Sequence, residues 1–217
     1  MNLRSLVVLV LTVLIFSTAV FAQEKGKEKH HMVGGYFSLG MATAINKVPD
    51  EMEDTGKPRF AGGGGLTYDY YFSKMVGIGT GIGFLGKGNR HEEGGGKAWN
   101  KYTVMEIPIG AMFNFSGFRL GVAVAFNFTL AGKIKWEMEG SKGTIEVSGD
   151  DWDEIRRVNI APKILLGYSI SVGPIGILPS VAWTVDMINI NKNEETKDDR
   201  AVRFMNLMFN VGVEYGL

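Results

Sequence analysis

The chain has no cysteine, only 3 histidines and only 6 prolines in 217 residues. Without cysteine there is no disulfide framework, zinc–thiolate site, thiol nucleophile or cysteine-linked lipid. Neither charge sign dominates, since 23 Lys and Arg balance 23 Asp and Glu. A nucleic-acid binder carries a basic excess, so no nucleic-acid partner is expected. Beyond the N-terminal stretch no apolar run approaches the roughly 18 residues of a transmembrane helix. Disorder is excluded as well, because 45% of the residues are apolar and only 21% are charged. What is plentiful is glycine: 30 residues, about twice the usual ~7%. Glycine without matching proline or tandem repetition is not a linker composition, so these residues belong inside ordered structure.

Met1 to Ala22 reads as a secretory signal peptide. Arg4 supplies the positive start, Leu6 to Phe16 the apolar stretch, and Val20-Phe21-Ala22 a cleavage site before Gln23. Residues 23–31 are then a short periplasmic tail, and residues 32–217 form one domain.

Within that domain apolar residues recur at every second position, the signature of half-buried strands. Phe118, Leu120, Val122, Val124, Phe126, Phe128 and Leu130 alternate with Arg119, Gly121, Ala123, Ala125, Asn127, Thr129 and Ala131. Val76, Ile78, Ile82 and Phe84 alternate with Gly77, Gly79, Gly81 and Gly83. Eight such segments follow one another. Ser73-Lys74-Met75, Asn114 to Gly117 and Ser171 to Pro174 are tight turns, whereas 43–58, 87–100, 133–153 and 189–201 are long and charged. The fold class expected is all-β: an eight-stranded, antiparallel, up-and-down transmembrane β-barrel. It has short periplasmic turns at one end and four long extracellular loops at the other. Lys133 to Trp136 continue the alternation into the third loop, where Thr144 to Val147 can pair back with them.

The polar faces are mostly Gly, Ala, Ser and Thr, a poor coat against water but a good filling for a narrow interior. The apolar face therefore points to lipid, and the location expected is the bacterial outer membrane. A secreted, soluble lipocalin-like barrel is the inverse arrangement. Aromatics beside the short turns, among them Tyr68, Tyr70, Phe115, Phe118, Tyr168 and Tyr215, suit a girdle at one interface. Phe209, Val211, Val213, Tyr215 and Leu217 resemble the C-terminal signature read by the outer-membrane assembly machinery, with Leu217 standing where Phe is usual.

The stretch Gly81-Ile82-Gly83-Phe84-Leu85-Gly86-Lys87-Gly88, followed by Tyr102-Thr103-Val104-Met105-Glu106-Ile107-Pro108-Ile109, resembles the PorT-like outer-membrane β-barrel family. The architecture is also similar to the small barrels of the OmpX and OmpW type. The resemblance implies a fold and a compartment but no substrate.

No motif carries catalysis. Gly81 to Gly88 approximates a phosphate loop, yet Gly88 stands in place of the required Ser or Thr and no helix pattern follows. His30 and His31 precede the first strand segment and His91 falls in a loop, which leaves no Ser-His pair. The acidic runs Asp50 to Asp54 and Asp150 to Glu154 lack the spacing of a calcium loop. No enzyme activity, cofactor or metal is expected.

The inward faces do carry charge. Asp69, Glu106, Asp186 and Glu214 are the acids; Arg119, Arg157, Lys163, Lys133 and Lys135 are the bases. Isolated charges in a narrow lumen are costly and must pair, so a salt-bridged interior network is expected. The role that follows is structural or surface-interacting, carried by the charged loops of a monomer whose partners are outer-membrane lipid, the assembly machinery and a surface ligand. The alternatives are a narrow channel for a small hydrophobic or ionic solute, or the soluble binding barrel.

Overall fold

The computed structural model describes residues 30–47, 57–93, 96–138, 141–147, 157–173, 175–188 and 201–216. Ten strands follow in order: β1 (His30–Lys47), β2 (Arg59–Tyr71), β3 (Val76–Glu93), β4 (Gly96–Phe115), β5 (Phe118–Met138), β6 (Ser141–Val147), β7 (Val158–Tyr168), β8 (Ile170–Val172), β9 (Ile175–Val185) and β10 (Ala201–Gly216). The wall runs β10-β1-β2-β3-β4-β5-β7-β9 and closes through β9–β10, with all pairings antiparallel. Closure leaves no unpaired sheet edge within the barrel. Eight strands thus make the wall. β8 follows β7 after Ser169 and pairs with β9, and β6 pairs with β5 above the start of β7.

At the periplasmic end the connections are tight. Ser116 (φ 52) and Gly117 (φ 94) form a two-residue hairpin. Positive φ at both positions matches the twist of the flanking strands. Asn114 Oδ1 accepts the Gly117 N–H at 3.2 Å. Ser73 Oγ accepts the N–H groups of Met75 and Val76 and so holds the β2–β3 turn.

The opposite end departs from the sequence expectation. The β3–β4 ladder continues to Glu93↔Gly96, so residues 87–100 are a hairpin rather than a long loop, and His91 lies on β3. β1 begins at His30, and His31 pairs with Tyr70; both histidines expected ahead of the first strand are part of it. β6 pairs back on β5 through Lys133↔Glu146 and Ile134↔Ile145, as the alternation there indicated. Beyond the short strands β7 and β9, a wall of β3, β4, β5 and β6 therefore stands above the barrel.

The two faces separate by chemistry. Phe37, Leu66, Phe118 and Phe209 are 60–65% exposed on the outside, while Ser38, Ala125 and Glu106 are 0% exposed within. This is the inverse of a soluble barrel. No described helix is long and apolar enough to cross a membrane; here strands cross it. Phe118 packs edge-on against Tyr168 at 4.9 Å, and Tyr70 against Phe72 at 5.0 Å, within the aromatic girdle at the turn end. Tyr102, Val104 and Phe204 form a buried apolar cluster on the inner face toward the other end.

One irregularity resets the alternation. Thr103 pairs with Ala131 but Val104 pairs with Thr129, so Leu130 is an extra residue on β5. Such a bulge re-aims every side chain beyond it. Inward positions on β5 are odd up to Thr129 and even from Gly132 onward. Lys133 and Lys135, assigned inward on the uninterrupted pattern, are exposed on the outer face.

Candidate functional site

Three layers of paired charge cross the lumen. In the layer nearest the turns, Arg119 on β5 reaches Glu214 on β10 through two bonds, Nη1 to Oε2 at 2.6 Å and Nη2 to Oε1 at 2.7 Å. Ser169 Oγ donates to the same Oε1 at 2.7 Å. Asp69 Oδ2 lies 3.6 Å from Arg119 Nη1, and the guanidinium sits 5.6 Å from the Tyr71 ring centroid. Glycine makes the room: a Cβ at Gly176 would fall 2.6 Å from Glu214 Oε1, and one at Gly79 would fall 2.4 Å from Asp69 Oδ1.

In the middle layer Lys163 on β7 donates to Glu106 on β4, with the ammonium 6.0 Å from the Tyr36 ring centroid. In the third layer Lys87 on β3 donates to Asp186 Oδ1 at 2.5 Å. Asn127 donates to the same oxygen at 3.2 Å. Asp186 follows β9 directly, and its N–H bonds to the Phe204 carbonyl.

Six of the nine charged residues expected on the inward faces therefore sit in the lumen: Asp69, Glu106, Arg119, Lys163, Asp186 and Glu214, whereas Lys133 and Lys135 lie on the outer face. Arg157 is not in the lumen either. It precedes β7 where the chain enters the wall, its side chain is exposed, and its carbonyl accepts the Thr129 N–H. Lys87 is the member that sequence reasoning missed. It continues the odd-numbered inward series Gly77, Gly79, Gly81, Gly83 and Leu85, and the signal was there once the strand is carried past Gly86.

A cavity of about 100 Å³ separates the first two layers, bounded by Asp69 and Glu214 on one side and Lys163 and Tyr36 on the other. Met112, Leu165 and Leu178 give it an apolar lining, and Thr67, Ser180 and Asn210 are among its polar neighbours. Ser38 Oγ, Glu106 Oε2, Asn127 Oδ1 and the Asn206 amide are buried and find no hydrogen-bond partner among the described residues. Among the described residues no group of three His, Asp or Glu gathers as a metal site. The acidic runs Asp50 to Asp54 and Asp150 to Glu154 lie outside the described residues.

The outer face presents the proposed assembly strand. Phe209, Val211, Val213 and Tyr215 are exposed along β10; Leu217 lies outside the described residues. Beyond the apolar belt the outer face carries exposed ion pairs, Lys133–Glu146 at 2.6 Å and Lys142–Glu137 at 2.9 Å, together with Lys57–Glu92. The hydrogen bond from each lysine holds its carboxyl below the ordinary carboxylate range.

A ring-closed sheet with an apolar exterior and a polar, charge-layered interior defines a small integral β-barrel of the bacterial outer membrane. Solved structures similar to it include Ail, the attachment invasion locus protein of Yersinia pestis, in complex with the heparin analogue sucrose octasulfate. That likeness has 13% identity and a TM-score of 0.47, covering 87% of this chain and 100% of that one. Neisserial surface protein A is similar at 11% identity and TM-score 0.46, over 87% and 99% of the two chains. Outer membrane protease OmpT from Escherichia coli is similar at 10% identity and TM-score 0.39, over 86% and 97%. None of them transfers a role to this chain. No family model and no curated protein matches the sequence, so the PorT-like resemblance stands on its motifs alone.

Proposed function

We propose that this barrel is a non-conducting, non-enzymatic monomer that works through the wall it raises above the outer membrane. The observation that carries this reading is the contrast between its two polar regions. The lumen spends its charge on internal pairs, Arg119–Glu214, Lys163–Glu106 and Lys87–Asp186, while the wall presents its charge to the outside. Eight strands leave an interior that side chains fill. The long connections around the wall are where a surface ligand would dock, since binding residues concentrate on loops held by a rigid scaffold. In the same proposal, export uses Met1 to Ala22 as a removable signal, and the assembly machinery reads the outer face of β10.

Planar-bilayer recording of the refolded chain tests the reading. The expected result is no unitary conductance across many insertions. Reproducible ion-selective steps would overturn it and favour the narrow-channel alternative, which the cavity and the unpartnered lumen atoms support.

A further inference from the structure

The outward side chains of the wall fall into three cross-strand rows. Nearest the membrane, Lys101 lies directly opposite Lys133, with Glu146 beyond it on β6. The next row holds Arg90, Trp99, Lys135 and Thr144. The third row reads Glu92, Lys97, Glu137, Lys142, with alternating sign. Like charges directly opposite each other on a sheet are destabilising, and the outermost row avoids them. The row nearest the membrane does not.

Among the described residues no carboxylate pairs with Lys101 or Lys135. Partial burial and the neighbouring cations Lys135 and Arg59 hold the Lys101 ammonium below the ordinary lysine range. The cluster is thus a cationic site with more positive charge than its own carboxylates neutralise.

Its height identifies what neutralises it. Leu130 is the last large apolar side chain on the outward face of β5 and is 45% exposed. A strand rising ~3.3 Å per residue at a tilt of ~40° climbs roughly 2.5 Å per residue. Lys133, three residues on, therefore stands about 8 Å above the edge of the apolar belt. The polar region adds about 5–7 Å to each side of the hydrocarbon core, so the Lys133 backbone stands just above it and the flexible lysine stem lets the ammonium reach down to the headgroup phosphates. Trp99 sits in the next row with the Arg90 guanidinium 5.7 Å from its ring centroid, an amphipathic side chain suited to the interface.

We propose that Lys101, Lys133 and Lys135 form a binding site for the phosphate groups of outer-leaflet lipid, with Lys133 and Lys135 turned outward beside Lys101 by the Leu130 bulge. This rests on the lipid-facing orientation of the belt but not on the closure of the lumen.

The test uses the mature full chain folded in neutral detergent. It is titrated with diphosphoryl lipid A and with the same lipid stripped of phosphate, and binding is read from the temperature at which the folded gel band is lost. Wild type is expected to be stabilised by the phosphorylated lipid and not by the stripped one. Each near-surface lysine is worth ~1 kcal/mol, or about fivefold in affinity. The K101Q/K133Q/K135Q variant should therefore bind about a hundredfold more weakly. K97Q/K142Q, which alters the balanced row, should change affinity much less than the triple variant does. Equal binding of the two lipids, or a triple variant that titrates like wild type, overturns the proposal. If the triple variant does not fold, the two-lipid comparison on wild type still decides. Heparin binding more tightly than the lipid and losing affinity in the triple variant would overturn the lipid assignment in favour of a soluble polyanion. Each of these failures leaves the conductance result untouched.

Discussion

The lumen and the wall are built on the same strands, yet they treat charge in opposite ways. Below the Leu130 bulge β5 turns Arg119 inward, where it meets Glu214 with its side chain 2% exposed. Above the bulge the same strand turns Lys133 outward, where its side chain is 51% exposed beside Glu146. The inner pair is forced, because a lone charge in that lumen would be nearly without solvent. The outer pair is optional, because water solvates either partner alone. Deleting one partner should therefore have opposite consequences in the two regions.

The largest effect should come from breaking the inner pair. Arg119→Met leaves Glu214 and Asp69 buried with no cation beside them, and removing one partner of a buried pair costs about 3–5 kcal/mol. Urea unfolding in lipid vesicles should show that loss. Replacing Arg119, Glu214 and Asp69 together by apolar residues of similar size should recover most of it. Lys133→Ala should leave the midpoint unmoved, since exposed pairs contribute little. If Arg119→Met unfolds like wild type, water must reach the first layer and the lumen is not closed there.

A middling effect separates glycines that hold room for a polar group from glycines whose neighbours leave space for a methyl. A Cβ at Gly83 would fall 2.2 Å from the Tyr36 hydroxyl. Gly83→Ala must push Tyr36 aside, and overpacking of this kind costs roughly 1–3 kcal/mol. At Gly212 the nearest atoms to a new Cβ lie 3.5 Å away, and Gly212→Ala should be nearly neutral by the same unfolding assay.

A smaller, geometric effect probes the bulge itself. Trp183 is outward on β9 and 38% exposed. Trp136 follows the bulge on the inward series, over Gly143, where a Cβ would fall 2.4 Å from the indole. In single-tryptophan variants a lipid-borne quencher should dim Trp183 and spare Trp136. Strong quenching of Trp136 would mean the alternation runs through Leu130 without a break.

That bulge also marks how far the sequence could be read. The barrel was legible because lipid on one side and a narrow lumen on the other force strict alternation. Arg119, Lys163, Glu106, Asp186, Asp69 and Glu214 could all be assigned inward by counting in twos. The count fails at Lys133 and Lys135 because an extra residue on one strand leaves no mark in the pattern: Leu130-Ala131 looks like any other step. Lys87 was lost for a different reason. Charge and glycine after Gly86 resemble a loop, and only the ladder with β4, Lys87↔Tyr102, shows the strand continuing. Arg157 was misplaced because nothing in the local pattern says that β7 begins one residue later. Pairing is a property of two strands, and one strand's composition does not report it.

The smallest effect is the pH response of the wall, and its sign follows from the lowered carboxyls. Glu92, Glu137 and Glu146 are each held below the ordinary carboxylate range by a lysine hydrogen bond. A group whose folded pKa is depressed contributes stability above its unfolded value and loses it as pH falls through the folded one. These carboxyl pairs should not change between pH 7 and about 5, since Glu is already ionised with its ordinary pKa near 4.3. Below about 4 the pairs should open, and β6 should loosen first. Among the described residues β5 is its only strand partner, and two of these carboxyls, Glu137 and Glu146, lie in the β5–β6 ladder. Hydrogen exchange of the β6 amides should therefore exceed its intrinsic pH trend in that acidic window, while the β5 amides opposite β7 keep to theirs. Equal loosening of both would mean that acid acts on the whole barrel and that the wall has no separate response.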